Sequence, residues 1–84
     1  MTKLQAQEIS DLLKSGKQYK QGHYHYGYEY FWYVESSSTF MYKKEDLAMD
    51  MFNPEITEVE LSEESFLAKL VSNHRYSDLV ENLS

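Results

Sequence analysis

The chain has 84 residues, of which 42% are hydrophobic and 26% are charged, a composition that indicates one folded domain with a small core. It contains no cysteine, which excludes disulfides, zinc–thiolate sites and cysteine nucleophiles. The net charge of −6 is unevenly distributed, since residues 1–44 carry +2 and residues 45–84 carry −8.

The first predicted element is a helix over about residues 3–15. Thr2 and Gln5 have the spacing of a capping box at its start. Apolar residues then recur at helical spacing; they are Ala6, Ile9, Leu12 and Leu13. Ser15 and Gly16 predict its end, and Gln21-Gly22 is typical of a turn.

Residues 23–35 alternate with a period of two, which predicts a long strand. The even positions are all aromatic or apolar and predict the core face; they are Tyr24, Tyr26, Tyr28, Tyr30, Trp32 and Val34. The odd face is polar at its start, so Phe31 and Tyr33 are expected to point outward. Thirteen extended residues would span roughly 43 Å, more than a domain of this size, so Gly27 is a predicted bend or bulge.

The rest of the chain predicts a small antiparallel sheet and two more helices. Residues 39–44 are the returning strand of a hairpin, residues 56–61 are a third strand, and residues 47–52 suit either an extended continuation, which we favour, or a helix. Ser62 is a predicted N-cap of a second helix that ends near Asn73. Its predicted buried stripe is Phe66, Leu67, Leu70 and Val71. A short helix over 78–83, capped by Ser77, closes the chain.

These elements predict the α+β class in one domain spanning residues 1–84. We expect a three-stranded antiparallel sheet, built from a long tyrosine-rich hairpin and a short third strand. The helices are expected to pack on one face of it, in the order α-β-β-β-α-α.

Motifs for chemistry are few. His23 and His25 are two residues apart on the predicted strand, a spacing at which two imidazoles can share a metal ion if Glu29 or His74 supplies a third ligand. Two histidines alone are a weak signal, and two solvated side chains explain them, so we predict no metal and no cofactor. No nucleophile elbow, zincin helix or phosphate loop is present, which favours a non-catalytic protein.

The predicted function is protein binding. From Glu45 to Glu64 there are eight acids and no base, a single-sign field that attracts a basic surface. Aromatic and Met side chains on the outward sheet face would supply apolar anchors. The predicted partner-binding residues are Phe31, Tyr33, Met41, Glu45, Asp46, Asp50, Glu55, Glu58 and Glu60. A compact acidic domain of this kind suits an inhibitor, immunity or anti-defence protein that occludes a basic surface.

Two other functions stay open. Lys14, Lys17 and Lys20 precede the tyrosines, a combination that suits single-stranded nucleic acid, because lysines neutralise phosphates and rings stack on bases. The exposed hairpin edge suits a self-associating protein such as a homodimer. The amphipathic start lacks a signal-peptide core, and no run approaches the ~18–20 apolar residues of a membrane span, so we expect a cytoplasmic protein.

Overall fold

The computed structural model of the chain describes residues 1–23, 27–47 and 53–84. In chain order these form α1 (Lys3–Lys14), β1 (Tyr19–His23), β2 (Gly27–Val34), β3 (Thr39–Asp46), β4 (Glu55–Leu61), α2 (Glu63–Asn73) and α3 (Tyr76–Glu81). The strands make one antiparallel sheet in the order β1-β2-β3-β4. The α+β class is confirmed, and the described residues form four strands where three were expected.

The starts of the two longer helices follow the predicted caps. At α1 the Thr2 hydroxyl accepts the Gln5 N–H at 3.1 Å, and the Gln5 side chain accepts the Thr2 N–H at 3.0 Å. At α2 the Ser62 hydroxyl accepts the Ser65 N–H at 3.2 Å. Each contact satisfies a backbone donor that the first helical turn leaves without a partner.

The last helix differs from its prediction. It runs over Tyr76–Glu81 rather than 78–83, and it follows Arg75, which makes no side-chain cap. Asn82 closes it by donating its side-chain N–H to the Asp78 carbonyl at 2.7 Å. Ser77 therefore lies inside the helix and is not its cap.

The strand predicted over residues 23–35 corresponds to β2 over Gly27–Val34, whereas His23 belongs to a separate antiparallel strand, β1. β1 contains Gln21 and Gly22, which were expected to form a turn, and it pairs with β2 from Tyr19↔Phe31 to His23↔Gly27. Gly27 begins β2 with φ +119°, and a Cβ there would overlap the Glu45 carbonyl of β3. Only glycine fits that close approach. The ambiguous segment 47–52 lies outside the described residues except for Leu47.

The core joins the three helices to one face of the sheet. It consists of Ala6, Ile9, Leu13, Tyr19, Phe31, Phe40, Phe66, Leu70 and Leu79, all at most 1% exposed. Of the stripe predicted on α2, Phe66 and Leu70 are fully buried, whereas Val71 is 37% exposed. The helices therefore cover the face of β2 that carries Phe31, not the even-numbered face that was expected to be core.

Phe31 explains this reversal. Its ring lies 5.3 Å from Tyr19, 5.2 Å from Tyr42 and 5.3 Å from Phe66, measured between centroids. A phenyl ring has no polar atom to satisfy, whereas Tyr and Trp carry an O–H or N–H that needs water or a partner. The helices therefore pack on the face with Phe31, and Tyr28, Tyr30 and Trp32 of β2 lie on the other face, whereas Tyr33 lies on the covered face beside Phe40.

Phe31→Ala is expected to lower the free energy of unfolding by about 3–5 kcal/mol, because it opens a cavity between sheet and helices. Its neighbour Tyr30 lies half-buried on the other face, so Tyr30→Ala is expected to cost only about 1 kcal/mol. Urea unfolding of both variants measures the difference. Equal losses would contradict the assignment of the two faces.

Candidate functional site: the open face of the sheet

The sheet face opposite the helices is called here the open face. The strand registers place on it Lys20, Gly22, Tyr28, Tyr30, Trp32, Val34, Thr39, Met41, Lys43, Glu45, Ile56, Glu58 and Glu60. None of these belongs to the buried core or packs against it, and no helix of the described chain covers this face. Antiparallel sheets that face water usually carry polar side chains there, whereas the centre of this face is aromatic.

The aromatic centre of the open face consists of Tyr28, Tyr30 and Trp32, and neighbouring strands hold these side chains in place. Tyr28 lies across Gly22 of β1, where a Cβ would overlap its ring, so the glycine makes room for the aromatic side chain. The Tyr28 and Tyr30 rings lie 6.4 Å apart at 34°. Trp32 is opposite Met41 of β3 and extends the apolar surface toward the other end of β2.

Two lysines flank these rings. The Lys20 Nζ lies 5.2 Å from the centroid of Tyr28 and 5.6 Å from that of Tyr30. The Lys43 Nζ lies 5.6 Å from the Tyr30 centroid on the other side. Cation–π attraction to the ring faces holds both ammonium groups over the sheet surface.

Acids occupy the β4 side of the open face. Lys43 forms an ion pair with Glu45 of its own strand at 3.3 Å. Glu58 is opposite Lys43 in the register and Glu60 is opposite Met41, yet neither carboxylate forms an ion pair within the described part of the chain. The open face therefore runs from a basic and aromatic side to an acidic edge.

The predicted apolar anchors divide between the two faces. Phe31 is 0% exposed in the core and is excluded as a surface anchor. Tyr33 also lies on the covered face, with its ring 5.0 Å from Phe40. Met41 alone lies on the open face, beside Trp32. Sequence reasoning missed Tyr28, Tyr30 and Trp32 as surface residues, because both faces of the strand carry aromatic rings.

The predicted acids are only partly assembled into one surface. Glu58 and Glu60 lie together on the open face of β4, and Glu45 lies there on β3. Asp46 and Glu55 face each other at the other end of the same strand pair, on the alternate side of the sheet. Asp50 lies outside the described residues.

The lysines proposed for nucleic acid do not share a surface. Lys14 forms an ion pair with Glu63 in the helical layer. Lys20 is on the opposite side of the sheet, above the open face. Lys17 is exposed in the segment between α1 and β1.

A polar cluster lies within the covered layer. The Glu29 carboxylate of β2 lies 2.6 Å from the His74 Nε2, and it accepts the Tyr42 hydroxyl at 3.1 Å. His74 follows α2, and its carbonyl accepts a hydrogen bond from the Met1 ammonium at 3.2 Å. The cluster thus connects the sheet, the chain start and the α2–α3 junction.

The electrostatics of this cluster favour the ionised carboxylate. Burial acts to raise the pKa of Glu29, but the hydrogen bond and charge of His74, the Tyr42 hydroxyl and the charge of Lys69 together hold that pKa below its ordinary value. Burial and the nearby Glu29 raise the pKa of Tyr42 to about 12. The Glu29 carboxylate is therefore ionised and is held by hydrogen bonds within the covered layer.

No metal centre is formed by the residues that the structure describes, since they contain no group of three or more His, Asp or Glu close enough to hold an ion. Glu29 and His74, the suggested third ligands, contact each other instead. His25 and the side chain of His23 lie outside the described part.

Comparison of the chain with protein-family models, with curated proteins and with solved structures gives no match. Among the described residues no helix is long and apolar enough to span a membrane.

In Glu29→Gln the free energy of unfolding is expected to decrease less at acid pH than it does in the wild type. A carboxylate whose folded pKa is lowered contributes stability that is present above its ordinary value of 4.5 and lost as pH falls through the folded pKa. Urea unfolding from about pH 3 to 7 should therefore show a steeper acid loss in the wild type than in the variant. Glu64→Gln, at an exposed glutamate of α2, is the control. Identical pH profiles for wild type and Glu29→Gln would contradict this role.

Proposed function

We propose that the chain is a non-catalytic protein-binding domain that occludes a basic surface of a partner protein. The observation that carries the proposal is the open face, where an aromatic surface adjoins Glu58 and Glu60, whose carboxylates form no ion pair with any described residue. The role we propose within that class is an inhibitor, immunity or anti-defence protein. The cytoplasmic location predicted from the sequence is part of the same proposal.

The aromatic centre supports binding rather than stability. Tyr28, Tyr30 and Trp32 are half-buried, yet none packs against the core between sheet and helices. Tyr, Trp and Met are enriched at the centres of protein interfaces, because they bury large areas while losing little side-chain entropy. A contiguous apolar patch bordered by charges is typical of an interaction site.

The charges support a basic partner. Glu58 and Glu60 project from the same face as the aromatic centre, and Glu55 continues the acidic edge of β4. All three are exposed. A carboxylate without a cation of its own gains most from a lysine or arginine supplied in trans, and a net charge of −6 speeds that encounter.

Single-stranded nucleic acid is the second candidate. Lys20 and Lys43 flank Tyr28 and Tyr30 on one face, which combines phosphate neutralisation with stacking platforms. The acids on the β4 side of the same face oppose this function. Lys14, one of the three lysines first suggested, lies in the helical layer and would not contribute.

Trp32→Ser is expected to weaken partner binding at least tenfold, because it removes the largest ring of the open face. Affinity capture from the native host with the tagged wild-type chain supplies the partner, and calorimetry with the purified partner measures Kd. Leu4→Ser is the matched control, since Leu4 is 85% exposed on α1. A partner that binds Trp32→Ser as tightly as it binds the wild type would contradict the proposal.

A labelled single-stranded oligonucleotide is expected not to bind at about 50 mM salt, because the acidic edge repels phosphate. Fluorescence anisotropy measures this directly. Binding that falls with added salt, and that is lost in Lys20→Gln, would favour the second candidate over protein binding. Lys3→Gln, which removes an exposed lysine on α1, is the control for net charge.

A further inference from the structure

The two edge strands of the sheet, β1 and β4, differ in whether their outer side has backbone hydrogen-bond partners. The outer side of β1 is paired at its start with the C-terminal residues. Gln18 and Ser84 exchange two backbone hydrogen bonds of 3.0 Å, Lys20 donates its N–H to the Asn82 carbonyl at 3.3 Å, and Tyr19 bridges to Leu83. An additional strand cannot pair there without displacing these residues.

Among the described residues, the outer side of β4 has no neighbouring strand. No described residue forms a backbone hydrogen bond with β4 apart from its partner β3. Six of its seven residues are exposed, among them Ile56 at 54% and Val59 at 40%. Seven extended residues offer a pairing edge ~23 Å long.

The charges on β4 favour a basic strand over a second copy of the chain at this edge. β4 carries Glu55, Glu58 and Glu60 and no base. A second copy of the chain pairing at this edge would bring acids against acids, which is destabilising across strands. Acidic side chains thus protect the edge from self-association, but the same charges attract a segment that carries lysine or arginine.

We propose that β4 is the attachment edge for an extended basic segment of a partner protein, which adds to the sheet as a fifth strand. This proposal rests on the proposed protein-binding function and specifies how the partner is held. Backbone hydrogen bonds would supply affinity, and alternate side chains would supply specificity.

The register of β4 defines the sequence that such a segment needs. Ile56, Glu58 and Glu60 project on the open face, while Thr57 and Val59 project on the covered face. A matching strand carries lysine or arginine at two alternate positions, opposite Glu58 and Glu60. An apolar residue between them faces Val59. The basic positions also place the partner beside Met41 and the aromatic centre.

The neighbouring strand leaves these acids available. Lys43 is opposite Glu58, but its ammonium is engaged by Glu45 at 3.3 Å and by the Tyr30 ring. Glu60 is opposite the uncharged Met41. Neither Glu58 nor Glu60 forms an ion pair with a described residue, so a lysine or arginine on an added strand could pair with both.

The test uses synthetic peptides of about nine residues, the length of one strand. A peptide that alternates Lys and Val is expected to bind at least tenfold more tightly than one of the same composition with its lysines grouped at one end. Glu58→Gln with Glu60→Gln is expected to weaken binding about fivefold to tenfold. Glu64→Gln with Glu81→Gln, the same change of charge on the helices, is the control.

N-methylation separates strand addition from charge attraction. An added edge strand directs the N–H groups of alternate residues toward its neighbour. Methylation of one alternate set of amides is expected to reduce binding at least tenfold, and methylation of the other set is expected to leave it within about threefold. NMR shifts are expected at the amides of 55–61 and not at those of 19–23. Equal effects of the two sets, equal binding of the grouped peptide, or no binding would overturn the proposal.

The experiments distinguish failure of strand addition at β4 from failure of the proposed protein-binding function. If the captured partner is lost with Trp32→Ser while the alternating peptide does not bind, the open face binds protein but β4 does not accept a strand. If the peptide binds as predicted while Trp32→Ser leaves partner binding unchanged, the strand addition stands and the aromatic centre is not the interface.

Discussion

Complete burial of the Phe31 ring is the constraint on which this structure depends. The ring lies at the junction of the sheet and the helices, with Tyr19 and Tyr42 beside it on neighbouring strands and Phe66 above it on α2. Side chains alternate strictly along a strand. Once position 31 faces the helices, Tyr30 and Trp32 must face the other way, and the open face acquires its aromatic centre.

Chain length then limits how much of the sheet the described residues can cover. Three helices are enough to cover one side of a four-stranded sheet, and the described residues place all three on the side of Phe31. A short chain buries a smaller fraction of its surface than a long one. The aromatic rings and the edge of β4 are what this arrangement leaves uncovered among the described residues, so the surface that we propose for binding is the complement of the core.

The covered layer tolerates a carboxylate because its partners surround it. An unpaired buried charge is costly, whereas one with hydrogen-bond donors and a neighbouring cation is accepted. Glu29 has the His74 ring, the Tyr42 hydroxyl and the charge of Lys69. Since the His74 carbonyl also accepts the Met1 ammonium, this cluster holds together elements that are distant in sequence.

The sequence by itself determined the class, the helix starts at Thr2 and Ser62, the strand of residues 56–61 and the acidic side of the molecule, because capping, alternation and charge are local properties. It did not determine which face of the tyrosine-rich strand is core, since both faces carry aromatic rings and alternation alone ranks neither. It also did not reveal that residues 19–23 form an edge strand, because Gln21-Gly22 resembles a turn until β2 pairs with it. Those choices depend on contacts with residues far along the chain. Only the tertiary structure decided that Phe31 lies inside, that Trp32 lies outside, and that the C-terminal residues pair with the start of β1 while no described strand pairs with the outer side of β4.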